Sequence, residues 1–150
     1  MNGRESMFSL SNWFIWALLS AFFAALTAIF AKVGIQNVDS DFATLIRTGI
    51  IIVILAAFIY FTGKWQNPLL IGKRTWLFLI LSGLATGASW VCYFRALKIG
   101  EAFKVVPVDK MSVVMVAIFA FIFLGERPGL REAGGLLLIT AGVLLLALRR

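Results

Sequence analysis

The run Val105-Val-Pro-Val-Asp-Lys-Met-Ser-Val-Val-Met-Val-Ala-Ile-Phe-Ala-Phe-Ile-Phe-Leu124 is twenty residues of nearly continuous apolarity, and Gly125-Glu126-Arg127 follows it directly. A helix rises about 1.5 Å per residue, so this length crosses the roughly 30 Å hydrocarbon core of a bilayer. One acid and one base, Asp109 and Lys110, sit side by side near its start. An ionised pair in that place is either an ordinary interfacial cap or part of a path for a polar solute.

Four more runs of the same kind surround it, at residues 12–33, 42–62, 75–95 and 131–148, with short connections at 34–41, 63–74, 96–104 and 125–130. Barrel strands would instead alternate apolar and polar residues in segments of about ten. The expected fold is an all-α membrane protein with five transmembrane helices in one domain, residues 12–148, after a short tail at 1–11. Arg4 and the apolar run from Trp13 loosely imitate a signal peptide, but that run continues to Ala31, too long for the apolar part of one.

Composition agrees. The 150 residues are 61% hydrophobic and 14% charged, with a mean hydropathy of +0.97, whereas a soluble domain is about half apolar. The net charge of +7 points to anionic lipid headgroups as partners rather than nucleic acid, because the bases lie between apolar runs. The chain has one cysteine, Cys92, and no histidine. An intramolecular disulfide, a metal site and a His-based catalytic triad are therefore not expected from this chain. No phosphate-cradling loop is present, so ATP is not a direct energy source. The expectation is a protein that is not an enzyme and carries no cofactor.

An odd number of spans puts the termini on opposite sides. Arg4, Lys64, Lys73, Arg74, Arg127 and Arg131 fall on the side of the N-terminus, here side A; Lys32, Arg95, Lys98, Lys104, Arg149 and Arg150 fall on side B, with Arg47 and Lys110 deeper in spans. The positive-inside rule acts on the difference between sides, which is nearly nil. Either the first span fixes one orientation, or two copies insert in opposite senses.

Small residues mark close helix approach in lipid. The first span has Ala17, Ser20, Ala21, Ala24, Ala25 and Ala28, and the third has Gly83 and Gly87; packing within the bundle accounts for both. In the fifth span, Gly135 and Gly142 lie one heptad apart and are candidates for a seam between two chains.

The stretch Ala96-Leu-Lys-Ile-Gly-Glu-Ala102, the turn Leu124-Gly-Glu-Arg127 and Gly134-Gly-Leu-Leu-Leu-Ile-Thr-Ala-Gly-Val143, taken in this order with the Ala-rich first span and Arg47, resemble an EamA domain of the drug/metabolite transporter superfamily. The resemblance implies one five-helix EamA repeat in a multi-pass protein of the prokaryotic cell (inner) membrane. Typical members carry two inverted repeats, and such repeats form a central site at their interface. A chain with one repeat is then expected to pair with a second copy, as the small multidrug-resistance members of the superfamily do, and an antiparallel pair is one arrangement open to it. Those exporters use an embedded acid in their first span. This first span has none, so that proton chemistry does not carry over.

Charges within the spans gather in the side B half: Lys32, Arg47, Arg95, Asp109 and Lys110. Arg47, Asp109 and Lys110 sit roughly 6–8 Å past the side B boundary at helical rise. Buried charges usually pair and face the bundle interior or a wet cavity. Arg47 against Asp109, with Trp90 and Tyr93 three apart on one helical face, would line a vestibule for a polar or zwitterionic metabolite. An ordinary reading also fits: Pro107 opens the fourth helix, Asp109 lies in its first turn where the dipole favours an acid, and Lys110 and Arg47 snorkel. Lys110 projects about 100° around the helix from Asp109, so the two are not expected to reach one spot. Glu126 is expected to cap or pair locally, with Arg127 or Arg131.

The function expected from these readings is a secondary transporter subunit moving a small organic metabolite or drug-like solute by alternating access, as a homodimer in membrane lipid. The alternative is a non-transporting accessory membrane protein, or one half of a heteromeric lipid-carrier flippase.

Overall fold

In lipid every backbone N–H and C=O needs a partner within the chain, so each apolar run must close its own hydrogen bonds as a helix. The computed structural model describes the backbone of residues 3–148 and the side chains of 13–148. Arg4, Arg149 and Arg150, which entered the charge count, lie outside the described side chains. The helices are α1 (Gly3–Gly34), α2 (Ser40–Phe61), α3 (Lys73–Ile99), α4 (Ala102–Asp109), α5 (Ser112–Phe119) and α6 (Leu130–Leu148), with a 3₁₀ turn at Pro68–Leu70 and a π-helical segment at Ala120–Leu124. Among the described residues there is no strand. Five segments are long and apolar enough to cross a membrane: Trp13–Gly34, Ser40–Phe61, Lys73–Ile99, Ala102–Leu124 and Leu130–Leu148. This is a multi-pass helical membrane protein.

Local chemistry sets the helix ends. Asp39 caps α2 by accepting from Asp41 N–H at 2.9 Å and Phe42 N–H at 3.1 Å, as an N-cap aspartate should. The π segment ends at Gly125, whose φ of 69° is a left-handed value suited to glycine. That explains the Leu124-Gly-Glu turn.

The third and fourth spans differ from the sequence-based expectation. Ala96-Leu-Lys-Ile99 does not form a connection. These residues tolerate a helix, so α3 continues to Ile99 and the chain turns only at the extended Gly100 and Glu101. The fourth crossing therefore starts at Ala102, and Pro107 lies inside α4 rather than opening the span. Asp109 is the last residue of α4, well past the first turn in which the helix dipole favours an acid. The capping account of Asp109 fails on this geometry.

The fourth crossing, helical over Ala102–Leu124, also breaks its α-helical register midway. At Lys110 (φ −69°, ψ −7°) and Met111 (φ −58°, ψ −19°) the chain tightens into 3₁₀ values. Lys110 N–H reaches Pro107 O at 3.0 Å, Met111 N–H reaches Val108 O at 3.0 Å, and Val113 N–H reaches Lys110 O at 3.0 Å. The Asp109 carbonyl accepts none of the bonds that cross this break.

The helices converge at the side B end. Ala31, Ile35, Phe94 and Leu97 form the buried core, flanked by Ala43, Trp90, Tyr93, Ala102 and Val105. Polar ties reinforce it. Lys32 Nζ donates to Leu97 O at 2.6 Å and to Gly100 O at 2.7 Å. Arg95 Nε donates to Asp41 Oδ1 at 2.9 Å, with Nη2 on the other carboxylate oxygen. Lys98 Nζ donates to Val38 O at 2.6 Å. Toward side A the bundle opens. The chain exposes 12754 Å² for its 16.6 kDa, whereas a compact monomer of that mass exposes about 7,600 Å².

Candidate functional site

Where the spans part from the core, α1, α3 and α4 enclose a cavity of about 450 Å³. Ala17, Ser20, Ala21, Ala24 and Ala25 form its α1 wall, Ser89, Trp90 and Tyr93 its α3 wall, and Asp109 and Lys110 its α4 wall. The alanine stripe therefore does not bring helices into close contact, apart from the buried Ala28 and Ala31. Its short side chains leave a hollow. Gly83 and Gly87 are open too: a Cβ on either would meet nothing within 4 Å. The expectation that the third-span glycines mark close packing within the chain is corrected by this geometry.

Asp109, Tyr93 and Ser89 also line an adjoining cavity of about 410 Å³ between α3, α4 and α6, where Cys92 and Lys104 contribute. Asp109 thus stands between two hollows. Lys110 Nζ lies 3.4 Å from Asp109 Oδ2, and both side chains face the central cavity. Sequence spacing on a regular helix argued against that meeting. The break at Lys110–Met111 permits it.

Four of the five residues expected on the path are brought together: Trp90, Tyr93, Asp109 and Lys110. Arg47 is not. Consecutive helical residues point about 100° apart, so while Tyr93 faces Asp109's cavity, Phe94 faces α2, and the Arg47 guanidinium lies 4.3 Å from the Phe94 ring centroid. Arg47 lines a separate cavity between α1 and α2. The expected Arg47–Asp109 pair is replaced by Lys110–Asp109.

Glu126 is in none of the ion pairs among the described residues. The local capping task expected of it falls to Glu132, which accepts from Gly129 N–H at 2.6 Å. Gly135 and Gly142 are half-buried on α6, and a Cβ on either would meet nothing within 4 Å, so no neighbouring helix of this chain uses them for close approach. Among the described residues no cluster of ligating side chains suits a metal ion.

Sequence reasoning missed the Lys32 clamp and the Asp41–Arg95 pair. The clue was available in part. Lys32, Asp41 and Arg95 all fall at span ends on side B, where one helix's last carbonyls and another's first turn invite charge.

Residues 11–148 match the EamA-like transporter family. This chain belongs to that family. Among curated proteins, the EamA chain is 62% identical over 136 residues to "Uncharacterized transporter in cobO 3'region" of Sinorhizobium sp., covering 91% of this chain and 96% of that protein. It is 28% identical over 152 residues to "Uncharacterized transporter YxxF" of Bacillus subtilis (strain 168), covering 100% of this chain but 47% of that longer protein. No solved structure matches it significantly.

Proposed function

We propose that this EamA chain is one half of a secondary transporter in the prokaryotic cell (inner) membrane. It moves a small organic solute by alternating access, and a second copy of itself supplies the other half. The observation that carries this reading is the break in the fourth span, placed where Asp109 and Lys110 enter a hollow shared with Trp90 and Tyr93. Transporters build midplane sites from discontinuous helices, whose freed backbone groups and end charges meet the solute. Here a solute with its own charges competes with the long Asp109–Lys110 contact, and the tightened turn acts as the hinge. Trp90 and Tyr93 offer flat apolar faces with polar tips.

Pairing is supported by three facts. The chain spans about half the length of YxxF, so a pair of copies would match that relative in length. The glycines of α6 have no close intrachain neighbour. The near-equal basic count on the two sides permits an antiparallel arrangement. With no histidine and a single cysteine, the chain works as a carrier without catalysis or a cofactor of its own.

Two experiments test this. Reconstituted protein should transport at least one solute from a panel of radiolabelled organic cations, anions and zwitterions, and Asp109→Asn should abolish that flux with unchanged membrane expression. Normal flux in the variant removes the cavity from the path. Topology reporters at residue 150 and within 63–74 should each give signal from both sides, whereas wholly one-sided signal at each rules out the antiparallel pair. Obligatory co-purification with a different five-span chain would favour the heteromeric flippase half instead.

A further inference from the structure

Among the described residues, every acidic side chain at the converging end of the bundle is engaged. Asp39 caps α2, Asp41 holds Arg95, Glu101 holds Lys104 at 2.8 Å, and Asp109 holds Lys110. The bases are engaged as well, with Lys32 and Lys98 on backbone carbonyls. Arg47 stands apart. No carboxylate among the described residues pairs with it, and its Nη1 is buried without a hydrogen-bond partner. Phe94 offers the cation a ring face, which meets part of the charge but accepts no conventional N–H···O bond.

An arginine does not lose its proton in a protein. An intramembrane guanidinium with an unsatisfied nitrogen therefore calls for an acceptor that the described residues do not supply. Nη1 itself is sealed from the surroundings, so an acceptor meets the other nitrogens of the group, Nε and Nη2, and the residue borders a space for one. Arg47 borders a cavity of about 390 Å³ between α1 and α2, where Phe30, Ile35 and Ile46 form apolar walls and Thr27 adds a hydroxyl. Arg47 is the one charged residue lining it. Thr27 also lines the central cavity, so the two hollows meet at a single residue of α1.

We infer that Arg47 and this cavity form an anion subsite for an organic solute bearing one carboxylate on a small apolar body. The Nε and Nη2 edge of the guanidinium takes the carboxylate in two parallel N–H···O bonds, the Thr27 hydroxyl donates to it from the α1 side, and Phe30, Ile35 and Ile46 cover the apolar part. The inference builds on the transport reading, because it names the chemical class of the cargo. The same anionic chemistry could come from a lipid phosphate, so the test separates the two sources.

The probe is radiolabelled benzoate, with benzamide as its neutral match, in equilibrium binding to the full chain purified in a non-ionic detergent. Saturable benzoate binding is expected, weakened at least tenfold in Arg47→Gln, and benzamide at equal concentration should not displace it. Ile46→Trp fills the cavity while keeping Arg47 and should abolish binding too; it also serves as the second variant if Arg47→Gln does not fold. Equal binding by wild type and both variants, or no saturable binding by wild type, overturns the subsite. Phospholipid retained in native mass spectra of wild type, absent from Arg47→Gln and not displaced by benzoate, assigns the anion to a headgroup and also overturns it. Flux of benzylamine without benzoate binding would leave the transport reading standing and this one refuted. Benzoate binding without any flux gives the reverse.

Discussion

Lys32→Met keeps most of the apolar stem and removes the ammonium that joins α1 to the end of α3. In the native protein that ammonium donates to Leu97 O at 2.6 Å and Gly100 O at 2.7 Å, in a partly buried setting. Both are terminal carbonyls of the helix or its cap, which have no partner in the helix itself. A hydrogen bond to a charged group contributes about 1.5–3 kcal/mol, and the two bonds share one donor and are not additive, so the expected loss is about 2–4 kcal/mol. For a chain of this length that lowers the thermal midpoint by roughly 5–15 °C. Unfolding by SDS titration in mixed micelles measures the free energy directly. Lys98→Met is the control, because its bond to Val38 O is exposed and water can replace it. A Lys32→Met loss below about 0.5 kcal/mol, or one no larger than that of Lys98→Met, would refute the clamp and mean that water already satisfies these carbonyls.

Gly100→Ala places a Cβ 2.7 Å from Val105 Cγ2, and overpacking of this kind costs about 1–3 kcal/mol; SDS unfolding should report that loss, and Gly100→Ala/Val105→Ala should recover most of it. Gly125→Ala forces a side chain into a φ of 69° at a cost of about 1–2 kcal/mol, whereas Gly125→Asn should lose clearly less because asparagine tolerates that region; equal losses would mean the turn relaxes. Cys92 is exposed and lines the hollow beside Asp109, so a water-soluble maleimide should modify it in liposomes. Modification only after SDS would show that the hollow is dry or filled.

The crossings were legible because lipid imposes one demand on every residue of a span, and apolar length records it directly. Even so, the start of the fourth span was misplaced. Pro107 reads as a helix opener in sequence, but the nearest backbone turn is at Gly100, and Ala102 through Val106 close a helical turn before the proline arrives. The meeting of Lys110 with Asp109 needed the turn at Lys110–Met111, but the shared depth of Trp90, Tyr93, Asp109 and Lys110 was legible as a local property. The place of Arg47 was not, since pairing it with Asp109 needed the angular positions of two helices that only packing sets: α2 lies against α3, while α4 lies against α6 and the α1–α3 side. The role of the α1 alanines was ambiguous for the same reason. Small side chains either admit a neighbour or leave a hollow, and the sequence does not say which.

The polar ties at one end give the molecule the mechanics of a clamped lever. From Lys32 to Trp13, α1 runs about 28 Å at helical rise, and its far part has no comparable fastening in the bundle. A tilt of about 5° at the clamp then sweeps the free end by about 2.5 Å, close to half a helical pitch, while the carbonyls held by Lys32 hardly move. Along Ala17–Ala25, the wall of the hollow, the same tilt moves the helix by about 1–2 Å. The width of the cavity is therefore governed by the stiffness of a joint that touches no solute.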